Sequence, residues 1–193
     1  KNLDLRKRYI DCFDVADEPY DVVLDDYERG MKTAEVRRIF DYLKEHQAPL
    51  VKEIAAAGGN GPKADDFPIA QQKVFELEVV RAFGFDDAAW RLDPTVHPFA
   101  SGTGVTDIRI TTRYFTDRLE GLFGTMHEFG HGLYENQVDP SLERTPLARG
   151  VSLGMHESQS RMWENMVGRS LPFWRRFFPR LQELHPDALR GYD

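Results

Sequence analysis

Apolar positions recur every three or four residues over much of this 193-residue chain, the spacing that lines one face of an α-helix. Asp17-Glu18-Pro19 reads as a helix opening, with Asp17 as N-cap and Pro19 in the first turn. Val22, Val23 and Tyr27 follow, and Gly30 is a natural stop. A longer helix is expected after Thr33, with Val36, Ile39, Phe40, Leu43, Leu50, Val51 and Ile54 on its stripe. Pro49 should kink or break it. Gly58-Gly59-Asn60-Gly61-Pro62 predicts a loop. The next helix is expected from Pro68 to Phe83, with Val74, Leu77, Val80 and Phe83 on one face and Gly84 closing it.

The period changes near Trp90. Residues 90–113 are rich in Thr, Val, Ile and Gly and predict two strands around a Gly-rich connection, Ser101 to Gly104. In the second strand Ile108 and Ile110 point one way, and Asp107, Arg109 and Thr111 the other. Helical spacing returns at Asp117, where Leu119, Leu122, Phe123, Met126, Gly130, Leu133 and Tyr134 form a stripe. A loop at 138–149 carries Pro140 and Pro146, and a further helix spans about 151–168. The expected fold is mainly α with a small β element. Residues 1–89 read as a helical arm and 90–193 as the functional core, in one continuous domain fragment.

Composition narrows the classes. No apolar run approaches the roughly 18 residues of a membrane span. One cysteine, Cys12, rules out an internal disulfide framework. Lys and Arg total 25 against 32 Asp and Glu, a net charge of −7 that opposes nucleic-acid and anionic-lipid binding. The aromatic and basic tail, with Phe173, Trp174, Phe177 and Phe178 beside Arg175 and Arg176, therefore reads as buried core or interface. The first ten residues lack the apolar centre of a signal peptide, so a reducing, cytoplasmic setting is expected.

The sharpest chemical signal is His127-Glu128-Phe129-Gly130-His131, the pattern H-E-x-x-H. On a helix, positions i and i+4 share a face, so both imidazoles can converge on one metal ion. Glu128 lies about 100° round the helix, beside that ion, where it can take a proton from an activated water. A catalytic zinc needs a third protein ligand. Residues 134 and 137 are Tyr and Gln, so no short-range histidine follows. His156 and Glu157 are the candidates, and Glu157 on a second helix completes a His₂Glu set. Arg161 stands one turn beyond Glu157, spaced for an ion pair with it. His156 suits a capping or outer-sphere role. Asp107, Glu135 and Glu164 are candidate acceptors for the histidines' second N–H groups.

His97-Pro98-Phe99, Asp107-Ile108-Arg109-Ile110-Thr111, His127–His131 and His156-Glu157-Ser158-Gln159 stand in one order and spacing. In these motifs the chain resembles the carboxypeptidase Taq family, the M32 metallocarboxypeptidases, whose patterns are HPF, DxRxT, HExxH and HES/GQ. The likeness extends to Ser160-Arg161 and Trp163-Glu164-Asn165, and more loosely to the helical arm. It implies a helical, saddle-shaped, zincin-type metallopeptidase that removes C-terminal residues from peptide substrates. By the same likeness His127, His131 and Glu157 hold zinc, with cobalt as a substitute, Glu128 is the general base, and the protein is a homodimer. His97, Asp107, Arg109, Thr111, His156 and Arg161 then become candidates for substrate or outer-sphere contacts.

The resemblance also carries a departure. Family members are more than twice this length, and two further motifs, IRxxAD and GxxQDxHW, do not occur here. The chain begins at Lys1, not Met, and reads as the central piece of a family member. Two alternatives stay open: an HExxH oligopeptidase, and a metal-binding but catalytically incomplete fragment or assembly module.

Overall fold

The computed structural model describes residues 1–14, 17–58 and 67–192. They form two compact units, Lys1–Pro62 with Val151–Leu153, and Lys63–Gly150 with Gly154–Asp193. The first unit holds α1 (Asn2–Ile10), α2 (Pro19–Asp25) and α3 (Thr33–Ala57). Glu18, not Asp17, occupies the N-cap of α2, and its side chain caps nothing. The start of α3 is capped from α2 instead: buried Asp21 accepts a 2.8 Å hydrogen bond from the Thr33 N–H. Hydrogen bonding from Thr33, with Lys32 nearby, holds the Asp21 carboxyl below the usual carboxylate range.

α3 runs through Pro49 without ending there. The lost N–H leaves one carbonyl of an exposed helix, which water can satisfy, while Ala, Glu, Lys and Leu on both sides favour the helix. Its apolar stripe has the expected period but remains exposed, with Phe40 at 61%, Val51 at 62% and Ile54 at 64%. The loop expected at 58–62 lies outside the described residues except for Gly58, whose φ of 64° suits glycine.

The second unit holds α4 (Ile69–Ala82), β1 (Trp90–Pro94), β2 (Ala100–Gly104), β3 (Asp107–Thr112), α5 (Glu120–Asn136), α7 (Leu171–Leu184) and, from Gly154 onward, α6 (Leu153–Arg161). A short 3₁₀ turn, Pro140–Leu142, interrupts the loop after α5, and a π-helical turn, Met162–Val167, extends α6. α4, read from the sequence with the arm, packs in this unit. Of the expected stripe, Val80 is buried and Leu77 and Phe83 pack partly buried, but Val74 is exposed; the buried face runs through Gln72, Phe75, Glu76, Val79 and Val80. The amide of Gln72 donates to the carbonyls of Phe67 and Phe115, both at 2.6 Å, so a polar side chain is spent inside the core.

The sheet has three strands where two were expected. Ser101–Gly104, read as a connection, belongs to β2, which pairs antiparallel with β3, while β1 pairs parallel with β3. A Cβ on Gly102 would lie 2.6 Å from the Asp107 carbonyl, so glycine here permits the close approach of the two strands, not a turn. The order β1-β3-β2 leaves β2 with one unpaired edge.

Two apolar clusters meet at α5. Leu122 and Met126 join Phe75, Val79, Phe173, Phe177 and Leu181 of α4 and α7. Phe129 joins Val80, Phe85, Trp90, Ile108 and Ile110 at the sheet. The aromatic tail thus supplies core: Phe173 and Phe177 are buried in α7.

Candidate metal centre

Because α5 is gripped on two sides, its third face is fixed. Two glycines make the grip possible, and a third lies on the same helix. A Cβ on Gly132 would lie 2.7 Å from Ile108 Cγ2 and Trp90 Cζ3, so α5 rests directly on the sheet. A Cβ on Gly130 would lie 2.7 Å from the Gln159 carbonyl oxygen and the Ser160 Cα, so α6 rests directly on α5. Gly124 faces Pro98 and Thr112 at ordinary contact distances, which seats the HPF segment on the first half of α5.

The backbone approach at Gly130 brings Glu157 to the histidines. His131 Nε2 lies 3.3 Å and His127 Nε2 3.7 Å from Glu157 Oε2. All three ligand atoms fall within 4.8 Å of one another. A tetrahedral ion with bonds of about 2.0–2.1 Å spaces its ligands by about 3.4 Å. The donor set, two imidazole nitrogens and one carboxylate oxygen, therefore fits a divalent metal.

Each of these groups is held from behind. The Nδ1 of His127 donates to Glu164 Oε2 at 2.9 Å. Burial alone would raise the Glu164 carboxyl, but His127, Arg169 and Arg161 outweigh it and hold it below its ordinary range. Glu164 sits in the π-helical turn, a distortion that recurs at functional sites. Arg161 Nε donates to Glu157 Oε1 at 2.9 Å, leaving Oε2 for the histidines. His131 Nδ1 lies 2.6 Å from His156 Nδ1, and His156 Nε2 lies 2.8 Å from Glu135 Oε1. Burial, then the neighbouring His156 and His127, push His131 down to about 4, so its imidazole is neutral near pH 7 and ready to act as a ligand.

Glu128 is buried, and burial, with a smaller push from Glu157, raises its carboxyl to about 7 against the opposing influence of His127. Such a group can take and return a proton near neutral pH.

The structure brings His127, Glu128, His131, His156, Glu157 and Arg161 together. It gives the others different surroundings. His97 is exposed in the β1–β2 connection. Asp107 and Arg109 pair with each other through two 3.0 Å contacts on the outer face of β3, and Asp107 also meets Thr103. Thr111 is buried, donates to the Phe99 carbonyl at 3.0 Å and accepts from the Phe99 N–H at 2.8 Å, tying the HPF segment to the sheet. The contacts made here by Gly130 and Arg169 lie outside what the motifs themselves indicate. Gly130 could have been noticed as the only small residue inside the motif. A cavity of about 640 Å³ adjoins His131 and His156, walled by β2 and by residues 143–149.

The family description for carboxypeptidase Taq (M32) metallopeptidases matches residues 1–193. Thermostable carboxypeptidase 1 of Thermus thermophilus is 48% identical over 174 residues, covering 86% of this chain and 34% of that protein. Carboxypeptidase 1 of Bacillus subtilis is 40% identical over 189 residues, covering 95% and 38%. The crystal structure of the M32 carboxypeptidase from Deinococcus radiodurans R1 superposes with a TM-score of 0.92 at 38% identity, over 99% of this chain and 39% of that one. The chain thus spans little more than a third of the length of these relatives, and within that span it is of one kind with them. This chain, with its two histidines and glutamate gathered across α5 and α6, belongs to the carboxypeptidase Taq (M32) metallopeptidase family.

Proposed function

We propose that this chain forms the water-activating core of a zinc metallocarboxypeptidase that releases C-terminal amino acids from peptides. The observation that carries the reading is the convergence of His127 Nε2, His131 Nε2 and Glu157 Oε2 beside buried Glu128. On this reading His127, His131 and Glu157 hold the ion, zinc with cobalt as a substitute. A divalent ion held there polarises a scissile carbonyl and lowers the pKa of water. Glu128 takes the proton of the attacking water at its carboxylate and delivers it to the leaving amine. Glu164 and His156 keep the two imidazoles oriented, and Arg161 keeps Glu157 turned toward them. The unpaired edge of β2 and the cavity beside His131 offer an extended peptide a wall to lie along.

Glu157→Gln is expected to weaken zinc binding by a large factor, whereas Glu128→Gln keeps the metal and abolishes hydrolysis. Chelator competition and peptide assays read the two effects separately. A Glu157→Gln chain that binds zinc like the parent removes Glu157 from the ligand set. Peptides with free and amidated C-termini separate a carboxypeptidase from an oligopeptidase, since only the former requires the free carboxylate.

One observation favours a second reading, a metal-binding but catalytically incomplete unit: the chain spans only 34–38% of its curated relatives. Orientation of the substrate and stabilisation of the oxyanion are then partly missing, and one lost oxyanion donor costs about 10²–10³ in rate. Slow hydrolysis at full zinc occupancy supports this reading.

A homodimer in a cytoplasmic setting completes the proposal. α3 leaves a stripe of large apolar side chains exposed, the kind of surface a partner copy can cover, and the single thiol, Cys12, forms no disulfide. Light scattering is expected to find a dimer or larger species. A monomer at high concentration counts against it.

A further inference from the structure

We propose that His156 is a positioning residue that locks the tautomer of His131, with Glu135 locking His156 in turn. The inference rests on the reading of His131 as a metal ligand and extends it to a three-residue chain behind that ligand. His131 and Glu135 stand one turn apart on α5, and His156 bridges them from α6. The two Nδ1 atoms are 2.6 Å apart, so one must donate and the other accept. Glu135 Oε1, at 2.8 Å from His156 Nε2, accepts only, and it also receives the Gly150 N–H at 3.2 Å. The carboxylate therefore draws the His156 proton to Nε2. That leaves a lone pair on His156 Nδ1, which accepts the proton carried by His131 Nδ1. Nε2 of His131 is then bare, and it is the atom that lies 3.3 Å from Glu157 Oε2.

The opposite arrangement, with a proton on His156 Nδ1 pointing at His131, would place the His131 proton on Nε2 and block the ligand position. The lock decides between the two. His127 has a simpler arrangement, a single carboxylate, Glu164. His156 can serve His131 because it precedes Glu157 on α6: one helix supplies a metal-facing carboxylate and, from the neighbouring residue, the support for a metal-facing imidazole. Packing fixes the ring further, with Tyr134 edge-on at 5.2 Å and Gly150 so close that a Cβ there would lie 3.0 Å from His156 Cδ2.

Imidazole ¹⁵N shifts of the labelled chain, read before zinc is added, report which nitrogen carries each proton. The expected pattern is Nδ1–H for His131 and Nε2–H for His156. A proton on His131 Nε2 overturns the lock. Two variants give an independent readout. His156→Gln keeps an acceptor for His131 and a donor for Glu135, whereas His156→Phe keeps the packing against Tyr134 and accepts nothing. Zinc affinity by chelator competition is expected to fall about 10–100-fold in His156→Phe and to stay near the parent value in His156→Gln. The reverse order would make the role one of packing and overturn the proposal. A parent chain that binds no zinc removes the ligand reading beneath it, while a parent that binds zinc no better than His156→Phe removes the lock alone.

Discussion

Gly130→Ala is expected to lower zinc affinity at least about tenfold and to destabilise the metal-free chain, although alanine is the better helix former. The substitution sets two effects against each other. Alanine in a helix interior gains about 1 kcal/mol over glycine. The added Cβ, however, would lie 2.7 Å from the Gln159 carbonyl oxygen, 2.7 Å from the Ser160 Cα and 3.0 Å from the Ser160 nitrogen. All three are backbone atoms, so no rotamer change relieves the clash and α6 must retreat by roughly half an ångström or more to reach ordinary contact. Overpacking of this kind typically costs about 1–3 kcal/mol, which cancels or exceeds the helical gain. In a chain of this size each kcal/mol moves Tm by about 2–4 °C.

The larger effect is on the metal. Gln159 and Ser160 stand two and three residues after Glu157, so their retreat carries Glu157 away from His127 and His131. A site that needs its ligands within about 0.5 Å of the productive geometry does not tolerate that. Gly124→Ala on the same helix is the control: its Cβ would meet Thr112 Oγ1 at 3.4 Å and Pro98 Cγ at 3.9 Å, both ordinary contacts. It is expected to leave zinc affinity unchanged and stability equal or higher. Calorimetry and chelator competition on both variants decide the matter. A Gly130→Ala chain that binds zinc as tightly as Gly124→Ala would show that α6 is not held by contact with α5 at this point.

These helix contacts mark the border of what is legible in the sequence. The i,i+4 spacing of His127 and His131 dictates a shared face, and the step from His127 to Glu128 dictates where that carboxylate lies, so the face of α5 that carries the two histidines follows from the helical period alone. That Glu157 and not His156 joins His127 and His131 in one group of ligand-type atoms depends on how α6 is rotated, which no local pattern encodes. The Gly-rich run 101–104 reads as a turn because glycine is usually spent there, but here it is spent on strand-to-strand approach. α4 misleads for a related reason. Gln72 and Glu76 are polar, so a search for apolar spacing selects Val74 and Leu77, while the buried face runs through Gln72, Phe75, Glu76 and Val79. Two polar residues hide the face because the partners that let them be buried, the Phe115 carbonyl for Gln72 and Thr125 for Glu76, are distant in sequence. α3 shows the converse: its stripe is plain in sequence, yet periodicity reports amphipathicity and not whether the face is covered.

Glu76 yields the second large effect, a gain in stability on Glu76→Gln that grows with pH. The side chain is 1% exposed, its Oε2 accepts from Thr125 Oγ1 at 2.5 Å, and Tyr114 is a further hydrogen-bond partner. No Lys, Arg or His forms an ion pair with it among the described residues. Burial therefore dominates and raises the carboxyl to about 8, while Tyr114 beside it is pushed well above its ordinary range. In the unfolded chain the carboxyl titrates near its ordinary 4.5.

The folded pKa is the higher one, so the stability that Glu76 contributes is complete below about pH 4.5 and is lost as pH rises through about 8. Across that window the native state binds more protons than the unfolded state, at about 1.4 kcal/mol per pH unit, giving an upper limit of roughly 4–5 kcal/mol. Glutamine has the same shape, its carbonyl oxygen still accepts from Thr125, and it carries no charge at any pH. Melting curves of Glu76→Gln and parent are thus expected to coincide within a degree or two at pH 4.5–5 and to separate progressively to pH 9, the variant always the more stable. The consequence reaches the metal helix, because Thr125 stands two residues before His127 on α5. In the parent, an ionised Glu76 at high pH strains the seat of that helix, and the variant relieves it. Curves that stay parallel from pH 5 to 9 would mean that Glu76 titrates alike in both states, through water that reaches it in the folded chain.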